Sequence, residues 1–373
     1  MPVTGSRLPI ALLAGGVLAL SCSAYAPFDD ESDLRGKINA RLGAEGPALT
    51  IPFHLTSEVL DAFSARHRPN PSEIRRVEQV LDFVFSELRL KYALLPTRDA
   101  VGTYQAREGN CLSFVNLFVG LARSFRLNPY YVEVTDYQKW SFRDGQVLSQ
   151  GHIVAGMVVA GQLKTYDFLP YRPKSYKTFR PIDDLTATAH YYNNLGAEAL
   201  IAGDLEQAES WLHLATRLAP DFVKASNNYG VLLTRRGELT RASEVYRRAL
   251  EAEPEDVAIL TNLAGLLTRQ GDRDGANALL ARISGVNNTN PYFFLYQGEA
   301  ALARGDIDQA KTMMTEALRR DAEVPETHVG LVKLYLALGD LERARHHLSR
   351  ALTLDATNQE ARRFASMLVA KPR

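Results

Sequence analysis

Cysteine is almost absent from this chain: 373 residues contain two, Cys22 and Cys111, which excludes a disulfide framework as the source of stability. Charge of one sign is not in excess either. Lys plus Arg and Asp plus Glu both number 43, a formal net charge of zero, so there is no global basic surface and nucleic acid is not a predicted partner. The apolar run Leu8–Leu20, at 13 residues, is short for a membrane span. No paired Cys or His stands at metal-ligand spacing, so no metal and no cofactor is implied. His346 and His347 are adjacent on a predicted helix, point to different faces and read as surface residues. The length itself predicts two or more structural units.

What is there begins with that apolar run. Arg7 precedes it, and together they fit an export signal over 1–26, followed by an N-terminal extension over 27–70. Two cleavage sites are open. "ALSC", ending at Cys22, resembles a bacterial lipobox, and "AYA" (Ala24, Tyr25, Ala26) fits ordinary signal cleavage. Acylation of Cys22 would give a lipid-anchored periplasmic protein, with each buried methylene contributing roughly 0.8 kcal/mol of membrane affinity. Ser23 after it resembles an outer-membrane address. Under either reading Cys111 is left without an intrachain partner.

The C-terminal half repeats. Gly203, Gly237, Gly271, Gly305 and Gly339 recur every 34 residues, each followed by Asp or Glu, and five positions on stand Ala208, Ala242, Ala276, Ala310 and Ala344. A further column holds Ala215, Ala249, Ile283, Ala317 and Ala351. This pattern resembles the tetratricopeptide repeat, five copies over 189–358, with 359–373 a capping helix and tail whose Ala361, Phe364 and Leu368 cover the last repeat. The resemblance implies an all-α superhelix whose groove takes a protein or peptide partner. Its lining would include Asn193, Lys224, Asn227, Arg235, Arg269 and Tyr292.

Between signal and repeats, Ile74, Val77, Val80, Leu81, Val84 and Leu88 recur at helical spacing behind Ser72, and Cys111 opens a second helix that is apolar nearly all round and must be buried. Tyr130–Thr135, His152–Val159 and Leu163–Phe168 read as strands. Ala160 and Gly161 form a two-residue turn that places Asp167 opposite Val154, on the sheet face of His152. A thiol at a helix N-terminus meets unpaired N–H groups that favour thiolate. His152 can take its proton, and Asp167 can orient the imidazole, the set that acyl transfer needs.

"GNCLSFVNLFVGLARSFRLNPYYVEV", "GHIVAGMVV" and "TYDF" resemble the transglutaminase-like superfamily of papain-like cysteine enzymes, over about 71–182. The resemblance implies an α+β fold with Cys111 as nucleophile, His152 as general base and Asp167 as third member. Val154 stands where many relatives have an aromatic, and no tryptophan lies upstream to hold an oxyanion, since the chain's two are Trp140 and Trp211. Gln105 and Asn110 are the candidate replacements, beside the Cys111 N–H. The expected function is an exported cysteine enzyme cleaving or transferring an amide acyl group, with the repeats recruiting substrate or partner. The alternative is a non-catalytic repeat scaffold carrying a degenerate papain-like domain.

Overall fold

The computed structural model describes residues 31–68, 70–143, 146–169, 178–284, 291–356 and 358–369. The expected signal segment with Cys22, and residues 370–373 of the expected tail, lie outside them. Among the described residues no helix is long and apolar enough to cross a membrane. The chain divides into two compact units, 1–139 with 150–238, and 140–149 with 239–373.

The first unit opens with α1 (Glu31–Leu42) and α2 (Ser57–Ser64). Leu34, Ile38 and Leu42 of α1 and Val59 and Phe63 of α2 are buried in the main core, so the N-terminal extension is an integral part of it. The helix expected after Ser72 is α3 (Glu73–Asp82); the Ser72 hydroxyl accepts from Arg75 N, and a wider π-turn carries the chain on through Phe83–Glu87. Two elements follow that the periodicity does not announce. α4 (Ala100–Ala106) is capped by Asp99, which accepts from Gly102 N at 2.7 Å, and β1 (Lys91–Tyr92) pairs in parallel with β2 (Glu108–Gly109).

The apolar helix is α5 (Cys111–Ser124), and every residue from Leu112 to Ala122 is buried. It lies against a four-stranded sheet of order β5-β4-β3-β6, made of β3 (Tyr130–Arg143), β4 (Gln146–Val159), β5 (Gln162–Tyr166) and β6 (Phe179–Ile182). Tyr131 of β3 donates its hydroxyl to Asn116 Oδ1 of α5 at 3.0 Å, and the ring of Phe118 lies 5.1 Å from that of Tyr166. The β4–β5 register runs from Ala155 opposite Tyr166 to Val159 opposite Gln162, around Ala160 and Gly161, both at positive φ. Extended by one residue it sets 167 opposite 154, as expected. β6 was not expected: it contains Pro181, which an edge strand tolerates because one side of its ladder is free.

Helices α6 (Asp184–Ala202), α7 (Leu205–Leu218) and α8 (Val223–Arg235) complete this unit. They belong to the repeats yet share the main core, which takes in Tyr191, Tyr192, Leu214, Leu218 and Phe222. The Tyr192 hydroxyl donates to Thr50 O and accepts from Thr50 N, both at 3.0 Å, and Arg217 donates to Leu42 O at 3.1 Å.

The second unit continues with α9 (Leu239–Ala252), α10 (Val257–Gln270), α11 (Arg273–Ser284), α12 (Pro291–Ala303), α13 (Ile307–Arg320), α14 (Pro325–Ala337), α15 (Leu341–Leu354) and α16 (Gln359–Val369). In α16, Ala361, Phe364 and Leu368 pack on Val329, Val332, Leu348 and Ala351, the capping role read from their spacing. His347 is not simply a surface residue. Its ring stacks on Tyr335 at 5.5 Å, and its Nδ1 lies 3.0 Å from Nδ1 of His328, whereas His346 is exposed.

Across both units the five column glycines have φ of +70° to +86°, the left-handed conformation that ends a helix with least strain in glycine. The following Asp204, Asp272, Asp306 and Asp340 each accept a hydrogen bond from the backbone N–H three residues on.

Candidate active site

Cys111 occupies the first turn of α5 because Asn110 stops the preceding extended chain there. Asn110 has φ −89° and ψ −175°, and its Oδ1 accepts from Ser113 N at 3.0 Å. Gly109 is needed for this turn, since a Cβ at that position would stand 2.5 Å from Cβ of Ser113. The Cys111 thiol is free and half-buried.

His152 comes from β4 and Asp167 from the end of β5. Phe168 fixes that end, its ring set among those of Phe85, Phe114 and Phe118 at 5.6, 6.3 and 5.5 Å. Asp167 Oδ1 lies 2.9 Å from His152 Nε2 and also accepts from Leu169 N at 3.1 Å. The His152 side chain is 1% exposed and that of Asp167 8%. The imidazole is also hydrogen-bonded to the Cys111 side chain; with Nε2 given to Asp167, Nδ1 is the nitrogen left for sulfur. Burial alone would lower the His152 pKa, but the bonds to Asp167 and Cys111 and the charges of both partners lift it to about 10.

The structure thus brings Cys111, His152 and Asp167 together. It places the two oxyanion candidates otherwise. Asn110 commits both amide hydrogens, to Thr97 Oγ1 at 2.7 Å and Leu94 O at 3.3 Å, so its side chain has no donor to spare. Gln105 is exposed on α4. The Cys111 backbone N–H, in the first turn of α5, has no carbonyl four residues back within the helix and is the donor that remains. Val154 is buried with Tyr130, Val132 and Val134 in a small second cluster.

The proposed groove residues are mostly engaged. In the first unit Asn193 is buried and accepts from Asn228 Nδ2 at 2.9 Å, Asn227 is buried with its amide 3.4 Å from Asn228 Oδ1, and Arg235 donates to Leu200 O at 2.8 Å. Lys224 donates to Glu133 Oε1 at 2.5 Å, and Arg180 binds the same carboxylate. In the second unit Tyr292 is buried and donates to Glu326 at 3.4 Å, while Arg269 is exposed. Those of Asn193, Arg235, Lys224 and Tyr292 stitch their helices to neighbouring elements.

Sequence spacing gives no hint of one further group. His67, Asp82 and Glu87 bring ligand atoms within 4.8 Å of one another, the π-turn having brought Asp82 and Glu87 round to one side. Both oxygens of Glu87 already face a partner, His67 Nε2 at 2.5 Å and Arg66 Nε at 3.2 Å.

Models of the tetratricopeptide repeat match residues 193–256, 233–294 and 301–368. No curated protein matches the chain. Among solved structures, a thermophilic TPR protein of Thermus thermophilus is 20% identical, with TM-score 0.44 over 49% of this chain and 100% of its own. MamA from Desulfovibrio magneticus RS-1 is 19% identical, with TM-score 0.33 over 46% of this chain and 97% of its own. YrrB, described as a TPR protein with an unusual peptide-binding site, is 18% identical, with TM-score 0.31 over 48% of this chain and 92% of its own. The C-terminal half of the chain, about 193–368, consists of tetratricopeptide repeats.

Proposed function

We propose that the first unit is a transglutaminase-like cysteine enzyme acting on amide or peptide bonds, and that the repeats recruit its substrate or a partner. One observation carries this reading: His152 is bonded on one ring nitrogen to Asp167 at 2.9 Å and through the rest of the ring to Cys111. In the reaction the Cys111 thiolate adds to the carbonyl carbon, and the oxyanion is met by the Cys111 N–H. The imidazolium passes its proton to the departing amine as the C–N bond breaks, leaving a thioester. Water or a second amine, deprotonated by the now neutral His152, adds to the thioester and releases the acyl group as the C–S bond breaks, restoring the thiolate and imidazolium. Asp167 keeps the ring oriented throughout.

Tetratricopeptide proteins bind protein or peptide partners, which supports recruitment by the array. Export, with a lipid anchor on Cys22, belongs to the same proposal and is supported by Arg7 and the run Leu8–Leu20. Mass analysis of the mature N-terminus separates acylated Cys22 from cleavage after Ala26.

The deciding experiment is iodoacetamide alkylation at pH 7, followed on the Cys111 peptide by mass spectrometry. An activated thiol should react roughly tenfold or more faster than in His152→Ala. Equal rates would leave the scaffold reading, in which the repeats are the working part.

A further inference from the structure

Helix α6, the first of the repeats, is linked to α5 by side chains near both of its ends. At one end Arg123, in the last turn of α5, holds both carboxylate oxygens of Asp184 at 2.8 Å. At the other, Glu198 Oε1 accepts from Thr97 N at 2.7 Å, and Thr97 Oγ1 accepts from the Asn110 amide at 2.7 Å. Asn110 in turn caps α5 through Ser113 N and Ser113 Oγ, both at 3.0 Å, and Ser113 Oγ accepts from Arg98 N at 2.8 Å. Asp184 to Glu198 and Asn110 to Arg123 are helical spans of about 21 and 20 Å at 1.5 Å per residue, so the two ties match in length.

The middle of this chain of bonds is buried, while Glu198 at its end is partly exposed. Thr97 is 4% exposed, Asn110 6% and Ser113 0%. A buried N–H or amide that loses its partner must find another, and here the group that would move is the residue preceding the nucleophile. Burial raises the Glu198 carboxyl above its ordinary range while the Thr97 bonds oppose that shift, so the carboxyl is kept at a desolvation cost for the bond it makes.

Resting on the reading of Cys111, His152 and Asp167 as catalytic, we propose that Glu198 is a positioning residue for Cys111. It acts through Thr97 on the Asn110 cap, so that a repeat helix sets the nucleophile's register against His152.

The test measures Cys111 alkylation at pH 7 and hydrogen exchange of the 110–114 amides in the full chain. Glu198→Ala and Thr97→Val should slow alkylation on the order of tenfold, as a small misplacement of a reacting group does. Both should also raise exchange at Ser113. Glu198→Gln, which keeps an oxygen for the Thr97 N–H, should restore both. Asp184→Asn, which breaks the distant tie, should lower thermal stability and leave the Cys111 rate unchanged. A rate that depends on His152 but not on Glu198 would overturn the proposal alone. So would equal slowing by Asp184→Asn, which would mean general loosening. Equal rates in wild type and His152→Ala would remove the catalytic reading, and the proposal with it.

Discussion

His152 keeps its proton well into the alkaline range, and the sign of that effect is testable. With its folded pKa raised from 6.5 to about 10, its pairing stabilises the fold fully below about pH 6.5, and that stabilisation is lost as pH rises through 10. In Asp167→Ala the ring should titrate at markedly lower pH, read by NMR of the His152 side chain; an unchanged midpoint would mean that Asp167 does not hold the cation. Glu133 shows the opposite case. Its burial raises the carboxyl pKa, but the charges of His190, Lys224 and Arg180, the last two at 2.5 Å, hold it down to about 2. That stabilisation is present above the unfolded value near 4.5 and fades as pH falls through 2. Glu133→Gln leaves Lys224 almost buried without its anion and should cost about 3–5 kcal/mol in urea unfolding. Cys111 was legible because it sits at a helix start, and His152 and Asp167 because a two-residue turn fixes the register of the strand pair that carries one and leads to the other. Asn193, Asn227 and Tyr292 were not. Period gives the face of a helix, but whether that face meets a ligand or another helix depends on partners such as Asn228 and Glu326 that no local pattern pairs.

Helix α5 is placed by contact on all sides. A Cβ at Gly120 would stand 2.4 Å from Phe53 O, a backbone atom that cannot swing away, so Gly120→Ala should push α5 off the 51–55 segment. We expect a loss of about 1–3 kcal/mol, typical of overpacking, by chemical denaturation. Among the repeats, Gly196 allows the same close approach, with a Cβ there 2.5 Å from Cγ of the buried Leu212 and 3.2 Å from its backbone N, so Gly196→Ala should also be destabilising. The repeats were readable because five copies reinforce each column. α4 and β6 were not, for different reasons. Seven residues of α4 carry too little periodicity, and the sequence "FRPI" loses its strand reading to Pro181 until β3 is there to pair with it.

Across the whole molecule, the boundary between compact units falls at 238/239 and not at the start of the repeats. In the second unit His328 gives Nε2–H to Ala322 O at 3.1 Å, which leaves its Nδ1 to accept from His347. Burial lowers both pKa values, that of His347 to about 4 with help from its histidine neighbours. His347 in the unfolded chain therefore takes up a proton below about pH 6.5 that the folded unit refuses until about 4, and stability should drop across that window. His347→Gln should flatten the dependence of the urea midpoint on pH. A fragment starting at 189 would lose the partners of Tyr192, Arg217 and Lys224 and bare the apolar side chains of Tyr191 and Phe222. It should aggregate or bind hydrophobic dye where the full chain does not. The built-in first repeats have a last consequence, for lineage. A duplication or deletion of 34 residues near the Asp184 end would tear the core, whereas one among the helices of the second unit leaves the residues of that core in place. Whole repeats can therefore be gained or lost between α9 and α15 without rewriting the first unit, so the length of the array can drift through descent while its opening is inherited intact.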